Sequence, residues 1–175
     1  MALKTRTQGA YVQVNGARLY YEDRGARFPL VFIPGGSVDA SHYAAVADRL
    51  ADEFRTVTFD RRGNGRSPRP PGWYATSIAE QADDVAGLIE ALGLAPCAVW
   101  AGSLGGVILL ELLTRRPGLV SLAIVHDRRC SVSSTTVRSS RQTCSGPPRA
   151  RFVRTRSATR SGTTRASPSG THSST

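Results

Sequence analysis

The sequence predicts an α/β fold with a mostly parallel, doubly wound sheet whose six strands are followed by a disordered basic tail. Two observations support this prediction. Short apolar or β-branched runs alternate with helical repeats between residues 30 and 125, and parallel strands need such helical crossovers. The composition then changes near residue 127, where acidic residues stop and large apolar residues become rare.

The predicted strands are separated by turn residues. Asn15-Gly16 stands between two short runs, residues 11–14 and 17–21. This dipeptide is typical of a β-hairpin, because both residues accept a positive φ. The run at residues 30–33 is continuously apolar, which predicts a strand buried on both faces of a sheet. Residues 55–60 are rich in β-branched and aromatic side chains and predict another strand. Further strands are predicted at residues 98–100 and 119–125.

Three helices are predicted between these strands. Residues 41–52 carry apolar side chains at helical spacing. Ser77 and Glu80 form a capping box at the start of a second helix, and Gly93 ends that helix. Residues 105–114 are almost all apolar, which predicts a third helix buried inside the fold.

The turn after the strand at residues 98–100 carries the clearest chemical signal. Residues 101–106 read Ala-Gly-Ser-Leu-Gly-Gly, and a strand that turns abruptly into a helix with a serine at its apex needs small neighbours. Pro34-Gly35-Gly36 follows an earlier strand, and residues 60–67 read Asp-Arg-Arg-Gly-Asn-Gly-Arg-Ser after another. In this order the three motifs resemble the α/β-hydrolase family, with Ala101 and Pro34 in place of the family's usual Gly and His.

The resemblance implies a site and a chemistry. Ser103 would be the nucleophile, and the backbone N–H groups of Gly36 and Leu104 would be the oxyanion donors. The loop at residues 60–67 would be structural, its arginines bonding nearby carbonyls or Asp60. By this resemblance, full-length relatives of this chain would hydrolyse an ester, amide or similar bond of a small-molecule substrate through an acyl-serine, and no cofactor or metal is implied. A serine at this position argues against dehalogenases and epoxide hydrolases, which use an aspartate there.

The acid and the histidine of the triad have no clear counterpart. The resemblance places both after the sixth strand, where this sequence becomes rich in Arg, Ser and Thr. His126, followed by Asp127, ends the strand that should neighbour the strand of Ser103, so His126 is either a substitute base or an ordinary strand-end residue. His42 is expected at the surface or in a helix cap, and His172 lies in the tail. Little or no activity is therefore expected.

Charge divides the chain into two predicted regions. Residues 1–127, predicted to be the N-terminal part of the hydrolase domain, hold 13 basic and 13 acidic side chains. Residues 128–175 hold ten arginines and no acidic residue, and too few large apolar residues to order themselves. A change of reading frame after about residue 127 would produce such a tail and leave a truncated hydrolase. The alternative is a non-enzymatic basic protein whose tail binds nucleic acid or another polyanion, weakly because Phe152 is the tail's one aromatic residue.

Several classes of protein are excluded or disfavoured. No apolar run is long enough to span a membrane, and the first residues lack the apolar segment of a signal peptide. The spacing of Cys97, Cys130 and Cys144 fits neither a disulfide framework nor a zinc site, so a cytoplasmic location and a core position for Cys97 are predicted. The strand at residues 119–125 is expected to have an exposed apolar edge that favours self-association.

Overall fold

The computed structural model describes residues 9–126 and the backbone of a short strand at residues 151–154, and it contains one seven-stranded sheet. The strands are β1 (Ala10–Val14), β2 (Ala17–Arg24), β3 (Phe28–Ile33), β4 (Phe54–Phe59), β5 (Cys97–Gly102), β6 (Val120–His126) and β7 (Arg151–Arg154). Their order is β1-β2-β4-β3-β5-β6-β7. The central strands β4, β3, β5 and β6 are parallel, while β1, β2 and β7 join antiparallel. The predicted fold class is confirmed.

The hairpin at the first edge of the sheet forms where the sequence predicts it. Val14 pairs with Ala17 across the turn, and Asn15 and Gly16 have φ of 46° and 71°. These are the positive values that a two-residue hairpin turn requires at both positions. The hairpin then attaches to the parallel strands through antiparallel pairing of β2 with β4.

The helices are α1 (Ala44–Leu50), α2 (Ile78–Ala91) and α3 (Leu104–Arg115). The capping box of α2 is confirmed, because Ser77 Oγ accepts a 3.0 Å hydrogen bond from the N–H of Glu80. The helix predicted at residues 41–52 is shorter than expected. It begins as a 3-10 turn at Ala40–Tyr43, which Asp39 caps by accepting from the N–H of Ser41 at 2.9 Å.

The two faces of the sheet carry different cores. One face packs against α2 and α3 and holds the larger cluster. Along each strand, residues of this cluster alternate with residues of the opposite face. The fully buried residues of the larger cluster on the central strands include Val31, Ile33, Val57, Phe59, Val99 and Ala101. The opposite face holds a smaller cluster of Leu30, Phe32 and Ala98 with Tyr43 and Ala47. Among the described residues, α1 and the turn before it provide the only helical cover of this second face. Helices therefore lie on both faces, as a doubly wound sheet requires.

Cys97 lies in the larger core, as predicted, and we expect its thiol to be inert. The residue is fully buried, its Sγ donates to the carbonyl of Leu119 at 3.4 Å, and burial raises the pKa of the thiol to about 12. At pH 8 only about one thiol in 10⁴ would then be a thiolate, which is the reactive form. Peptide mapping after iodoacetamide treatment should find Cys97 alkylated in 8 M urea but not in the native protein. Equal alkylation in both conditions would contradict its burial.

The second edge of the sheet corrects one expectation. Residues Leu122 to Val125 of β6 pair antiparallel with Arg154 to Arg151 of β7. The prediction of an open edge at β6 is therefore wrong over these residues, and four residues of the predicted disordered tail form a strand. Phe152 and Val153 have high strand propensity, which explains why this segment pairs. The rest of the predicted tail lies outside the described residues; the boundary at residue 127 and self-association remain predictions.

Candidate active site

Ser103 occupies the apex of the turn between β5 and α3. Its backbone has φ 52° and ψ −123°, a combination that residues with a side chain rarely adopt and that costs on the order of 1–3 kcal/mol. Two hydrogen bonds hold the turn: the N–H of Ser103 donates to the carbonyl of His126 at 3.0 Å, and its carbonyl accepts from Gly106 at 2.8 Å. The serine side chain is exposed, and no described residue forms a hydrogen bond with it. The strained turn therefore presents a hydroxyl that is unbonded within the described part of the chain.

Small residues let the neighbouring elements approach this turn. A Cβ atom on Gly105 would lie 2.4 Å from the carbonyl oxygen of Ile33, so α3 can pack against the end of β3 only with glycine there. A Cβ atom on Gly35 would lie 3.6 Å from Ser103 Cβ. The loop after β3 therefore sits directly beside the serine. Ala101, which replaces the family's usual glycine, is fully buried in the larger core.

The two residues predicted to supply the oxyanion donors lie next to each other. A Cβ atom on Gly36 would lie 3.8 Å from Leu104 Cδ2, so the loop after β3 meets the first residue of α3. Within residues 9–126, neither the N–H of Gly36 nor that of Leu104 donates a hydrogen bond. The N–H of Leu104 belongs to the first turn of a helix, where backbone donors lack partners and the helix dipole favours negative charge.

Ser103 opens into a cavity of about 1080 Å³ on the second face of the sheet. Aromatic side chains form one wall: Trp100 lies 5.9 Å from Phe32 and 5.1 Å from Tyr43, measured between ring centroids. The remaining lining is largely aliphatic and includes Leu30, Val38, Val46, Leu50 and Ile124. Burial raises the pKa of the Tyr43 hydroxyl, so this group is neutral near pH 7. The cavity therefore suits an uncharged, apolar ligand.

Two histidines line the same cavity. His126 lies where strand adjacency predicts it, paired with Gly102, and its ring stacks on Trp100 with 5.9 Å between centroids. His42 is exposed in the turn before α1, as predicted, and its ring meets Tyr43 edge-on at 4.9 Å. The prediction missed that this exposed ring faces the cavity. Neither histidine hydrogen-bonds a carboxylate among the described residues, while Asp127 and His172 lie outside them.

The loop at residues 60–67 carries four charged residues, of which Asp60, Arg61 and Arg62 are buried and Arg66 is exposed. Asp60 is fully buried and accepts hydrogen bonds from the N–H of Ala40 at 2.7 Å and from the backbone and side chain of Arg66 at 2.7–3.1 Å. Arg62 forms a two-pronged ion pair with Asp84, at 2.5 and 2.7 Å. The prediction that these arginines bond Asp60 or nearby carbonyls is confirmed. The loop also connects the end of β4 to the Gly35–Gly36 turn, because Arg61 donates hydrogen bonds to the carbonyls of both glycines.

No metal-binding group of three or more His, Cys, Asp or Glu side chains occurs in the described part of the chain. No helix of that part is both long and apolar enough to pass through a bilayer.

Comparison with known proteins decides the family. A family model described as "alpha/beta hydrolase fold" matches residues 29–165. The chain belongs to the α/β-hydrolase fold family. The match continues past residue 127, where the composition changes, so the part of the chain that resembles the family does not end at that residue.

Relatives of this α/β hydrolase include two curated hydrolases. It is 34% identical over 116 residues to a protein called Uncharacterized hydrolase YraK of Bacillus subtilis (strain 168), covering 66% of this chain and 43% of that protein. It is 30% identical over 125 residues to the zearalenone hydrolase of Bionectria ochroleuca, covering 70% of this chain and 47% of that protein. The chain thus spans less than half the length of these relatives.

Solved structures show the same fold. The esterase EaEST from Exiguobacterium antarcticum matches with a TM-score of 0.60 and 29% identity, covering 65% of this chain and 43% of that one. The epoxide hydrolase VrEH1 from Vigna radiata matches with a TM-score of 0.63 over 67% of this chain and 38% of that one, at 22% identity. The second likeness concerns the fold alone.

Proposed function

We propose that Ser103 is the nucleophile of a serine hydrolase that cleaves an ester or similar bond in a small, uncharged molecule. The observation that carries this proposal is the strained backbone of Ser103 at the strand-to-helix apex, next to Gly36 and Leu104, whose backbone amides have no partner within residues 9–126. Strain of this kind persists only where the surrounding structure enforces it, and it is concentrated at functional sites. Serine at this position also favours acyl transfer over the aspartate chemistry of epoxide hydrolases.

The proposed reaction uses these groups in order. The Oγ of Ser103 attacks the substrate carbonyl carbon, its proton passes to a base, and the carbonyl oxygen becomes an oxyanion. The N–H groups of Gly36 and Leu104 donate hydrogen bonds to that oxygen, and these bonds strengthen as negative charge develops on it. The tetrahedral intermediate then expels the alcohol, which takes up a proton, and water later hydrolyses the acyl-serine.

We also propose that turnover is slow. His126 and His42 line the cavity, but no described carboxylate orients either ring, and an effective base needs such a partner. In serine hydrolases, loss of the base costs about 10⁶ in kcat. The residual rate then comes from the oxyanion donors and substrate binding.

A fluorophosphonate probe tests the nucleophile in the full chain. The probe should label Ser103 in the native protein and should label neither the urea-unfolded protein nor Ser103→Ala. Ser41→Ala is the matched control, because Ser41 is an exposed serine outside the cavity lining, and it should label like the wild type. Mass-spectrometric mapping identifies the modified residue. Labelling that persists in Ser103→Ala, or that maps to another residue of the wild type, would refute the assignment, and labelling of Ser103 would also show that a base serves it.

The division of the chain at residue 127 remains a second proposal. Ten arginines and no acid after that point, against balanced charge before it, support a change of reading frame. Resequencing the gene tests this proposal. It fails if the other frames downstream of codon 127 encode no further strands, acid and histidine.

A further inference from the structure

Arg61 lies buried directly behind the loop after β3. Its side chain is 5% exposed, and its guanidinium makes three hydrogen bonds. Nη2 donates to the carbonyls of Gly35 and Gly36, both at 2.9 Å, and Nη1 donates to Gln81 Oε1 at 2.6 Å. One guanidinium nitrogen therefore holds two successive peptide groups of the loop.

These bonds fix which way the loop amides point. In a trans peptide the C=O and the following N–H point in opposite directions, and both peptides here are trans. Because the carbonyls of Gly35 and Gly36 point inward to Arg61, the N–H groups of Gly36 and Ser37 point outward. Gly36 and Ser37 are exposed and line the cavity beside Ser103. Without the guanidinium, the inward carbonyls would lose their donor and the peptides could rotate.

Arg61 also differs from the other arginines of its loop in its lack of a carboxylate partner. Arg62 is paired with Asp84 and Glu80, and Arg66 is paired with Asp60 and Glu22. Arg61 has no carboxylate partner among the described residues, and its buried Nε has no hydrogen bond there. Burial lowers the pKa of Arg61 from its usual value, but an arginine remains cationic at neutral pH. Within residues 9–126, its positive charge behind the loop is therefore not balanced by a carboxylate.

We propose that Arg61 is a positioning residue that turns the Gly36 and Ser37 amides toward the cavity and places an unpaired positive charge behind them. This inference rests on the proposed function, because it assigns the Gly36 and Ser37 amides to an oxyanion that forms when Ser103 attacks a substrate. The inference extends the donor set, since Ser37 N–H joins Gly36 and Leu104. It also identifies the ligands that this site favours: groups that develop negative charge on an oxygen, such as a carbonyl under attack.

A trifluoromethyl ketone tests this inference, because a serine adds to it and leaves a hemiketal whose hydroxyl ionises to an oxyanion. Titration of the adduct by ¹⁹F NMR gives the pKa of that hydroxyl. In Arg61→Met we expect this pKa to rise by about one unit, a tenfold loss of oxyanion stabilisation. His42 and His126 also face the cavity, but they are the same in both proteins, so the difference reports Arg61.

Gln81→Glu tests the charge of Arg61 apart from its role in holding the loop peptides, and it remains informative if Arg61→Met fails to fold. It keeps an acceptor for Arg61 Nη1 while it adds the missing negative charge, so the pKa of the hemiketal should rise here too. Arg55→Met is the matched control, because Arg55 pairs with Asp23 outside the cavity lining, and it should leave this pKa unchanged. An adduct whose pKa is the same in wild type and Gln81→Glu overturns the electrostatic role. No adduct in the wild type instead refutes Ser103 as nucleophile.

Discussion

Gly105→Ala is expected to destabilise the protein by about 3 kcal/mol or more. The added Cβ would lie 2.4 Å from the carbonyl oxygen of Ile33 and 3.0 Å from that of Pro34. Both atoms belong to the backbone, so no side chain can rotate to relieve the contact. Helix α3 would have to move away from β3, which also separates Leu104 from Gly36. Urea denaturation followed by circular dichroism measures the free energy of unfolding, and probe labelling of Ser103 should slow in parallel.

Gly118→Ala is the control for this experiment. A Cβ atom on Gly118 meets nothing within 4 Å, and its φ is not in the left-handed region. This substitution should be neutral or should stabilise the fold by about 0.4–1 kcal/mol, since alanine restricts the unfolded chain. Equal stability of the two variants would contradict the tight contact between α3 and β3.

Asp60→Ala should cost about 3 kcal/mol, because it removes a fully buried carboxylate and leaves hydrogen-bond donors without an acceptor, although its ion-pair partner Arg66 is partly exposed. The carboxylate of Asp60 is fully buried and accepts from the N–H groups of Ala40 and Arg66 and from the Arg66 guanidinium. Loss of this carboxylate leaves these donors without their acceptor. The midpoint of urea unfolding should therefore fall sharply.

Asp83→Ala provides the matched control for Asp60→Ala. The carboxylate of Asp83 pairs with Arg115 at 2.8 Å, but both side chains are more than a third exposed. Exposed pairs of this kind contribute about 0–1 kcal/mol. If Asp60→Ala were no more destabilising than Asp83→Ala, the loop would not depend on its buried carboxylate.

Local chemistry accounts for the features that the sequence predicts correctly. Asn15 and Gly16 form the hairpin turn because their φ preferences act within the turn itself. The Ser77 cap of α2 and the strained Ser103 apex likewise depend on a few adjacent residues. Even the meeting of Ser103 with His126 follows from sequence, since consecutive parallel strands commonly lie side by side.

The features that were missed depend on contacts between distant segments. The place of Arg61 behind the Gly35–Gly36 loop requires β4 to lie beside β3, and nothing near Arg61 distinguishes it from Arg62. His42 reaches the cavity because the turn before α1 packs Tyr43 against Trp100. The pairing of β7 with β6 joins segments separated by the composition change at residue 127.

The sequence by itself determined the first six strands and three helices in chain order, the turn that carries Ser103 and the family to which the chain belongs, because short-range conformational preferences and apolar spacing specify them. Only the tertiary structure decided which arginine lacks an acidic partner among the described residues, which carbonyls that arginine bonds and which rings line the cavity. These properties arise from pairings and burial across the sheet, where each side chain's environment is supplied by residues far away in the chain.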